Sequence, residues 1–572
     1  MRLPLLFAGL LLAGSAFAQP RVATSSPTSG AVSIAPDADI VLTFDRPLDR
    51  ATVTDASVRV FGRWSGPITS TLQLENGRRQ LRVTPDRPLM AGEAVTVSLS
   101  RQLAAGAASM EAAYTLQFWV ASQSSVDAFV VGDWIPVRLP GESNIISYGA
   151  YAGDLDGDGD SDLAVPNEIP ADVRVFLNDG TGTYGAFEVH ALPNGDWPSP
   201  SEGADFNHDG RTDIVVGNGR NEMMSVLLGD GAGDFTSIVS YPTTGDNVRG
   251  LAVLDADGDG HDDVVTSNRN SGNLSLFLGR GDGSFDAPTT MEPGAQGETA
   301  LAPGDANGDG ILDLFVGAYN SNEILLMLGD GQGGFTLSDR LGVNGSVWML
   351  ASGDLDGDGL ADVVSASSYA DAVETVFSDG DGTLTYGDRL PSGRFTIAVD
   401  LGDLDGDGAL DIVSSNYITG DFAIYRGNGS GQFTEIQRVA IEGAGSCAVL
   451  HDRDGDGVLD ITGIDERNDR IYFLERVTTS TEATRDVPRR LSVLGPNPTT
   501  GSSTRLRVRL PEVQFARVRV FDALGREVTR LHDGPALSED MIWNARDTAP
   551  GVYLVRLDVA DGGTETVRIV RG

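Results

Sequence analysis

The apolar positions fall in short runs punctuated by Gly, Asp and Asn. Around the middle of the chain one unit reads LAVL at 251–254, DVVT at 263–266 and LSLFL at 274–278. The Gly-rich turn GRGDGSF from Gly279 then leads into a weaker fourth run. Runs of four to six residues rich in Val, Ile and Leu, bounded by turn residues, predict β-strands and argue against helices. Four antiparallel strands per unit make the blade of a β-propeller. Residues 21–121 and 491–572 also alternate short apolar runs with turns, which predicts two small β-sandwiches on either side. The expected fold class is therefore all-β, a seven-bladed β-propeller flanked by two small Ig-like domains.

The count of seven comes from a repeated loop. Asp-x-Asp/Asn-x-Asp-Gly-x-x-Asp occurs as DLDGDGDSD, DFNHDGRTD, DADGDGHDD, DANGDGILD, DLDGDGLAD, DLDGDGALD and DRDGDGVLD. The copies start at Asp154, Asp205, Asp255, Asp305, Asp354, Asp403 and Asp452, so the period stays at 49 to 51 residues. A fixed period near 50 marks a propeller or solenoid. The seventh unit ends after its third strand, RIYFL from Arg470, while DWIPVRL at 133–139 precedes the first loop as an orphan strand. Pairing the two would close the ring and remove the open edges that invite aggregation.

Charge changes the picture in the same place. The chain has 572 residues, 41 basic and 82 acidic, for a net charge of −41. Residues 123–477 hold 16 Arg and 61 acids, whereas residues 1–122 and 478–572 are each slightly basic. Acid confined to one segment has a local purpose. The balance argues against nucleic acid and anionic membrane surfaces as partners and favours cations. Cys447 is the only cysteine, so no disulfide can form within the chain.

Alternate Asp side chains in a tight loop converge on one point, and unneutralised carboxylates that close repel. Hard oxygen donors around a turn that Gly permits suit Ca²⁺. Positions 1, 3, 5 and 9 would give side-chain oxygens and position 7 a backbone carbonyl. Loop 1 would use Asp154, Asp156, Asp158 and Asp162 with the carbonyl of Asp160. Loop 2 would use Asp205, Asn207, Asp209 and Asp213 with Arg211, and loop 3 Asp255, Asp257, Asp259 and Asp263 with His261. Loop 4 offers Asp305, Asn307, Asp309 and Asp313 with Ile311, and loop 5 Asp354, Asp356, Asp358 and Asp362 with Leu360. Loop 6 offers Asp403, Asp405, Asp407 and Asp411 with Ala409, and loop 7 Asp452, Asp454, Asp456 and Asp460 with Val458. Up to seven Ca²⁺ ions are expected. An EF-hand would need flanking helices and Glu at position 12, where this chain has strand residues such as Val165 and Val216. Mg²⁺ keeps its waters and fits an all-protein cage less well. Solvated Asp turns without metal are the bland alternative.

On these loops, residues 126–477 resemble the FG-GAP/VCBS repeats of integrin α-chain propellers and many bacterial secreted proteins. Forms such as GDF at 233–235 and GGF at 333–335 are degenerate remnants of that family's Phe-Gly-Gly-Ala-Pro stretch. The resemblance implies a seven-bladed propeller with Ca²⁺ in each loop. It implies no single ligand, because members include adhesins, lectins and polysaccharide-cleaving enzymes.

The remaining segments read as address and spacer. Residues 1–18 (MRLPLLFAGLLLAGSAFA) have an early Arg, an apolar run and Ala-Phe-Ala before Gln19, the pattern of a secretory signal peptide. No other run is long enough to span a membrane, so none is expected in the mature chain. Residues 19–122, with IVLTF at 40–44 and YTLQFW at 114–119, resemble bacterial Ig-like domains, which suggests a spacer or adhesive module. Residues 478–490 are polar and read as a linker. Residues 491–572, with GPNP at 495–498, VRVFDALGR at 518–526, APGVYLVR at 549–556 and VRIVR at 567–571, resemble the C-terminal sorting domain of type IX secretion cargo. That implies an extracellular or outer cell-surface location and the secretion machinery as a partner.

Chemistry is sparse. The five His form no zinc-ligand spacing, and there is no nucleophile elbow or phosphate loop. A carboxylate pair for glycoside cleavage is available wherever acids are this dense. Binding scaffold therefore leads, for an extracellular glycan or surface protein in adhesion or matrix attachment. A polysaccharide lyase or hydrolase is the alternative. The Asp loops join strands one and two, so the opposite face carries the other loops. Those hold Trp197, Arg220, Arg249, Arg269, Tyr319, Trp348, Tyr369 and Tyr417, together with Phe395, as candidate ligand contacts. Core packing of Trp348 and Phe395 is the competing explanation.

Overall fold

The computed structural model describes residues 19–125, 128–477, 491–493, 503–522, 526–544, 548–559 and 564–571. The chain divides into two compact units that part after the seventh blade. The signal-like segment and the linker expected at 478–490 lie outside the described residues.

The propeller is seven four-stranded antiparallel sheets. Blade 3 is typical: Val248–Leu254, Asp263–Asn268, Asn273–Phe277 and Thr289–Met291, in spatial order. The innermost strands of successive blades pack against each other around the full ring, including blade 7 against blade 1. Closure uses the strand that the sequence singles out, four residues earlier than expected. Phe129–Pro136 pairs antiparallel with Arg470–Arg476, joining Gly445–His451 and Asp460–Asp465 in blade 7.

The second strands explain why the ring holds. Asp263–Asn268 is buried along its whole length, as is Asp313–Ala318, so both faces of each sheet are covered. That is why apolar residues run consecutively there, as in Val264-Val265 and Leu314-Phe315-Val316, instead of alternating with polar ones. Val264, Leu251 and Phe277 of blade 3 share one core with Val215 and Val226 of blade 2. Burial of each such side chain stabilises by about 1.5–3 kcal/mol relative to exposure. A charge at Val264 would break two blades at once.

Residues 22–119 form the expected sandwich, two four-stranded sheets around a core that includes Ile40, Leu42, Val97 and Phe118. The sequence reads this domain as a spacer; in the structure it is docked as a cap on the Asp-loop end of the propeller. It touches every loop. Arg87 Nη1 lies 2.9 Å from Asp154 Oδ2 in loop 1. Arg59 donates to the carbonyl of Asp205 in loop 2 at 3.2 Å and to Asp262 Oδ2 in loop 3 at 3.0 Å. The Thr115 amide donates to the Gly310 carbonyl of loop 4 at 2.6 Å, and Trp119 packs with Leu355 of loop 5. Ser33 Oγ donates to Asp403 Oδ2 in loop 6 at 3.3 Å, Trp64 shares a core with Leu459 of loop 7, and Gln123 Nε2, just past the sandwich, donates to the Asp456 carbonyl of that loop at 2.8 Å.

The tip between strands Val58–Gly62 and Gly66–Pro67 enters the ring. Trp64 is fully buried in one core with Leu450 and Leu459, and its carbonyl accepts the Asp154 amide at 2.7 Å. Arg63 Nη1 meets Asp400 Oδ1 of the innermost strand of blade 6 at 2.7 Å. The buried Glu93 shapes this tip by accepting from the amides of Trp64, Ser65 and Met90 at 3.0, 2.9 and 2.7 Å. Gly66 has φ +66°, and a side chain there would collide with Thr212 Oγ1, so only glycine fits this left-handed, crowded position.

The C-terminal unit is a five-stranded antiparallel sheet whose long strand Ser503–Asp522 pairs with Leu491–Val493, Glu527–Asn544 and Gly551–Val559. Leu506, Val508, Val518, Val520, Trp543 and Tyr553 share its core.

Candidate metal loops and channel mouth

Each Asp loop is built from its own backbone. In loop 1, Gly157 and Gly159 take φ of 80° and 94°. The chain thereby turns sharply enough for the Gly157 amide to reach Asp154 Oδ1 at 2.7 Å. The Asp158 and Asp160 amides reach Asp156 Oδ1 and Asp158 Oδ1 at 3.2 and 3.0 Å. The ninth residue is a bolt. Asp162 Oδ2 accepts the Leu155 amide at 2.9 Å and Oδ1 the Asn178 amide at 2.8 Å, tying the loop to the turn after strand three. Asp213, Asp263, Asp313, Asp362 and Asp411 accept the equivalent pairs of amides. Position 9 therefore has a structural duty that the repeat pattern alone does not reveal.

Five loops bring three carboxylates together with ligand atoms all within 4.8 Å of one another. Loops 1, 5 and 6 do so through positions 1, 3 and 9: Asp154, Asp156 and Asp162; Asp354, Asp356 and Asp362; Asp403, Asp405 and Asp411. Loops 3 and 7 use positions 1, 3 and 5, which are Asp255, Asp257 and Asp259, and Asp452, Asp454 and Asp456. Loops 2 and 4 carry Asn207 and Asn307 at position 3 and form no such triple among the described residues. Burial, reinforced by neighbouring carboxylates, pushes Asp255 up to about 7 and Asp263 to about 9. Burial likewise pushes Asp362 and Asp411 to about 8. Crowded, half-dehydrated carboxylates with only oxygen donors suit a hard cation such as Ca²⁺. Some loops also have an arginine at hand: Arg426 sits 2.8 Å from Asp405, and Arg87 on Asp154 as described.

The opposite mouth of the ring collects the candidate ligand residues. Tyr319 and Trp348 have ring centroids 5.3 Å apart, and Trp348 and Phe395 5.8 Å apart. Tyr369 lies 5.4 Å from Phe395, and Tyr417 6.2 Å from it. The arc spans the loops of blades 4 to 6, and Tyr369 is 70% exposed. Trp348 is partly exposed, so it is not simply blade core. The Arg269 guanidinium lies 3.9 Å from the Tyr319 centroid and 5.3 Å from that of Trp348. Arg220 stacks separately on Trp197. Arg249 reaches from blade 3 to Ser199 Oγ at 3.1 Å in blade 2 and to Glu168 Oε1 at 3.6 Å in blade 1. Trp348 Nε1 donates to the Tyr148 hydroxyl across the ring, from blade 5 to blade 1.

Sequence reasoning missed Glu168, Glu466 and Tyr148. Tyr417 donates to Glu466 Oε1 at 3.2 Å. Burial raises Glu168 to about 8, with Arg249 opposing, and raises Glu466 to about 7. Repeat register was the signal that could have found them. The sixth residue after the ninth loop position is Glu168, Gly219, Arg269, Tyr319, Ser368, Tyr417 and Glu466 in blades 1 to 7. The fourteenth before it is Tyr148, Ser199, Arg249, Thr299, Trp348, Ile397 and Ser446. These two sets supply most of the mouth's side chains.

Fold and loops together define a seven-bladed β-propeller with an Asp-rich loop in every blade. The FG-GAP-like repeat family model matches residues 154–216, 205–266, 255–316, 305–365, 354–414 and 403–463, together more than half of the chain. The chain belongs to the FG-GAP-like repeat family. The bacterial Ig-like domain model matches residues 17–120, which is the cap. No curated protein matches the chain. Among solved structures, one of BBS1N in complex with ARL6DN, soaked with lead, is 12% identical with a TM-score of 0.43, covering 62% of this chain and 99% of that one. A Lactobacillus plantarum protein is 14% identical with a TM-score of 0.39, over 65% of this chain and 94% of its own. A functionally unknown protein from Desulfotomaculum acetoxidans is 11% identical with a TM-score of 0.34, over 63% and 99%. No helix among the described residues is long and apolar enough to cross a membrane.

Proposed function

We propose that this chain is an exported, calcium-stabilised propeller scaffold that binds an extracellular glycan or surface protein through the mouth opposite its Asp loops. The crescent of Tyr319, Trp348, Tyr369, Phe395 and Tyr417 carries this reading, because partly exposed rings 5 to 6 Å apart offer stacking faces that the blades do not consume. The Asp triples support Ca²⁺ at loops 1, 3, 5, 6 and 7, where the carboxylates named above would hold it and it would supply charge neutralisation. The signal-like residues 1–18 and the type IX-like C-terminal unit support export to the cell surface or beyond. The test is a glycan array probed with calcium-loaded protein alongside a Trp348→Ala variant. Hits that the variant loses support the reading; a blank array, or hits indifferent to Trp348, points to a protein ligand or to another face.

A second reading, a polysaccharide lyase or hydrolase, draws on Glu168 and Glu466. Two carboxyl groups held near neutral pH beside Tyr417 and Arg249 have the proton affinity that acid–base cleavage requires. Product analysis on any array hit, with Glu466→Gln as control, separates binding from turnover.

A further inference from the structure

Residues 123–477 hold nearly four acids for every Arg, so an arginine there without a carboxylate is unexpected. Arg174, Arg249, Arg389 and Arg438 all have acidic partners. Arg269 does not: among the described residues its guanidinium stacks on the rings of Tyr319 and Trp348 and hydrogen-bonds the Tyr319 side chain, with no carboxylate against it. A guanidinium carries five N–H donors in a planar fork. Stacking on rings leaves much of that fork unspent while fixing its position.

We propose that this corner of the crescent recognises an acidic saccharide, with the Tyr319 and Trp348 rings stacking on a pyranose and Arg269 holding the carboxylate of a uronic acid. The proposal rests on the reading that the mouth binds glycan and adds the charge of the sugar. Three features of the corner support it. The fork geometry of Arg matches a planar carboxylate bidentately. Arg249 is spent on Glu168 and Ser199, and Arg220 stacks apart on Trp197, so Arg269 is the donor beside the crescent. Phe395, against Trp348, sits at φ 60°, a left-handed turn that Ile146, Trp197, Asn247 and Gly297 also adopt at the equivalent positions of blades 1 to 4. That turn places the Phe395 ring 5.8 Å from Trp348, where it extends the stacking shelf. A net charge of −41 would repel polyanions at large, so recognition must be local, at this one cation.

The experiment is calorimetric titration of the calcium-loaded full chain with trigalacturonate and with its methyl ester, which has the same rings without the charge. The wild type is expected to bind the acid about tenfold or more tightly than the ester, the scale of one charge-assisted bidentate contact. Arg269→Gln should bring the ratio of acid to ester affinity close to one, Arg269→Lys should keep part of the preference, and Trp348→Ala should weaken both ligands. Equal binding of acid and ester by the wild type, or a preference that survives Arg269→Gln through calcium bridging, overturns the proposal but leaves the glycan reading standing. Binding of neither ligand, in a variant set that folds as the wild type does, overturns the proposal; a blank wider glycan array would then remove the glycan reading as well.

Discussion

Arg63→Met tests whether the cap is held by its inserted tip. In the structure Arg63 Nη1 lies 2.7 Å from Asp400 Oδ1, and the Asp400 side chain is only 5% exposed. Glu202, on the innermost strand of blade 2, feels both charges. Methionine keeps most of the stem volume and removes the cation. Breaking a buried pair by deleting one partner costs about 3–5 kcal/mol. Two observations reduce that figure. The Arg63 side chain is 37% exposed, which moves the pair towards the weaker surface range. Asp400 also keeps the amides of Leu401 and Leu450 at 3.0 and 2.9 Å. About 2 kcal/mol of lost docking remains. It is read as a lower denaturant midpoint for release of the cap, followed by fluorescence of the otherwise buried Trp64. Adding Asp400→Asn to Arg63→Met should cost less than the sum of the two single losses, because the stranded carboxylate is then neutral even though its amide keeps only one of the two backbone acceptor positions. Strictly additive losses in the double variant would refute the reasoning, since they would mean that the two side chains do not interact.

Two further outcomes follow from the loops and the channel. Chelation should lower the melting temperature of the propeller, and added Ca²⁺ should restore it better than equal Mg²⁺; a ligand at a hundred times its Kd stabilises by about 2.7 kcal/mol per site. Asp356→Ala should remove one ion from a calcium titration, and an unchanged stoichiometry would exclude loop 5 as a site. Sequence alone suggests that both flanking domains would ignore the metal. The cap, however, contacts Asp154 and Asp403 directly and should loosen with the propeller, whereas the C-terminal unit should not respond. Enclosure on the innermost strand raises Glu202 to about 7, above about 4.3 for an unfolded Glu, so the folded state favours its protonated form, an effect weakened because solvent still reaches the side chain. The stability this gives is complete below about pH 4.3 and is lost as pH rises through 7. Glu202→Gln should flatten that decline in a melting series from pH 5 to 8; an unaltered slope would assign the titration elsewhere.

The repeat was legible because each blade marks itself. An Asp loop with fixed glycines has few alternative uses, and its period fixes the blade count without any long-range information. The closing strand was legible in kind but not in register. Residues 133–139 have the apolar content of a strand, yet pairing runs over Phe129–Pro136 with an irregularity between Val131 and Trp134. An irregular register leaves no clean alternation to read. The cap's docking was illegible for a different reason. Several of its contacts join backbone to backbone, such as the Thr115 amide to the Gly310 carbonyl and the Arg101 amide to the Gly258 carbonyl. Those contacts constrain no side chain, and arginines such as Arg59 and Arg87 look like ordinary surface charge until their partners are known. At the mouth, Tyr319 and Trp348 stood out as aromatics, while Glu168 and Glu466 were hidden among 61 acids. Only alignment of the repeats on their ninth Asp separates those two from the rest.

Docking of the cap also decides which face of the propeller is available to other molecules. Every Asp loop makes a contact with the cap through a side chain, a carbonyl or packing, and Trp64 seals the ring from that side. A macromolecule approaching the loops would have to displace all of these contacts together. Among the described residues the mouth has no such cover: Tyr369 is 70% exposed, and Arg269 rests on Tyr319 and Trp348. The two ends should therefore answer to different substitutions. Changes at the loops, or at Arg59, Arg63 and Arg87, should move stability and cap release while leaving the crescent's geometry intact. Changes at Arg269, Tyr319 or Trp348 should move ligand affinity with little effect on melting, because partly exposed rings contribute little to the blade cores. A mouth variant that unfolded the ring, or a loop variant that lost ligand without losing stability, would contradict this division.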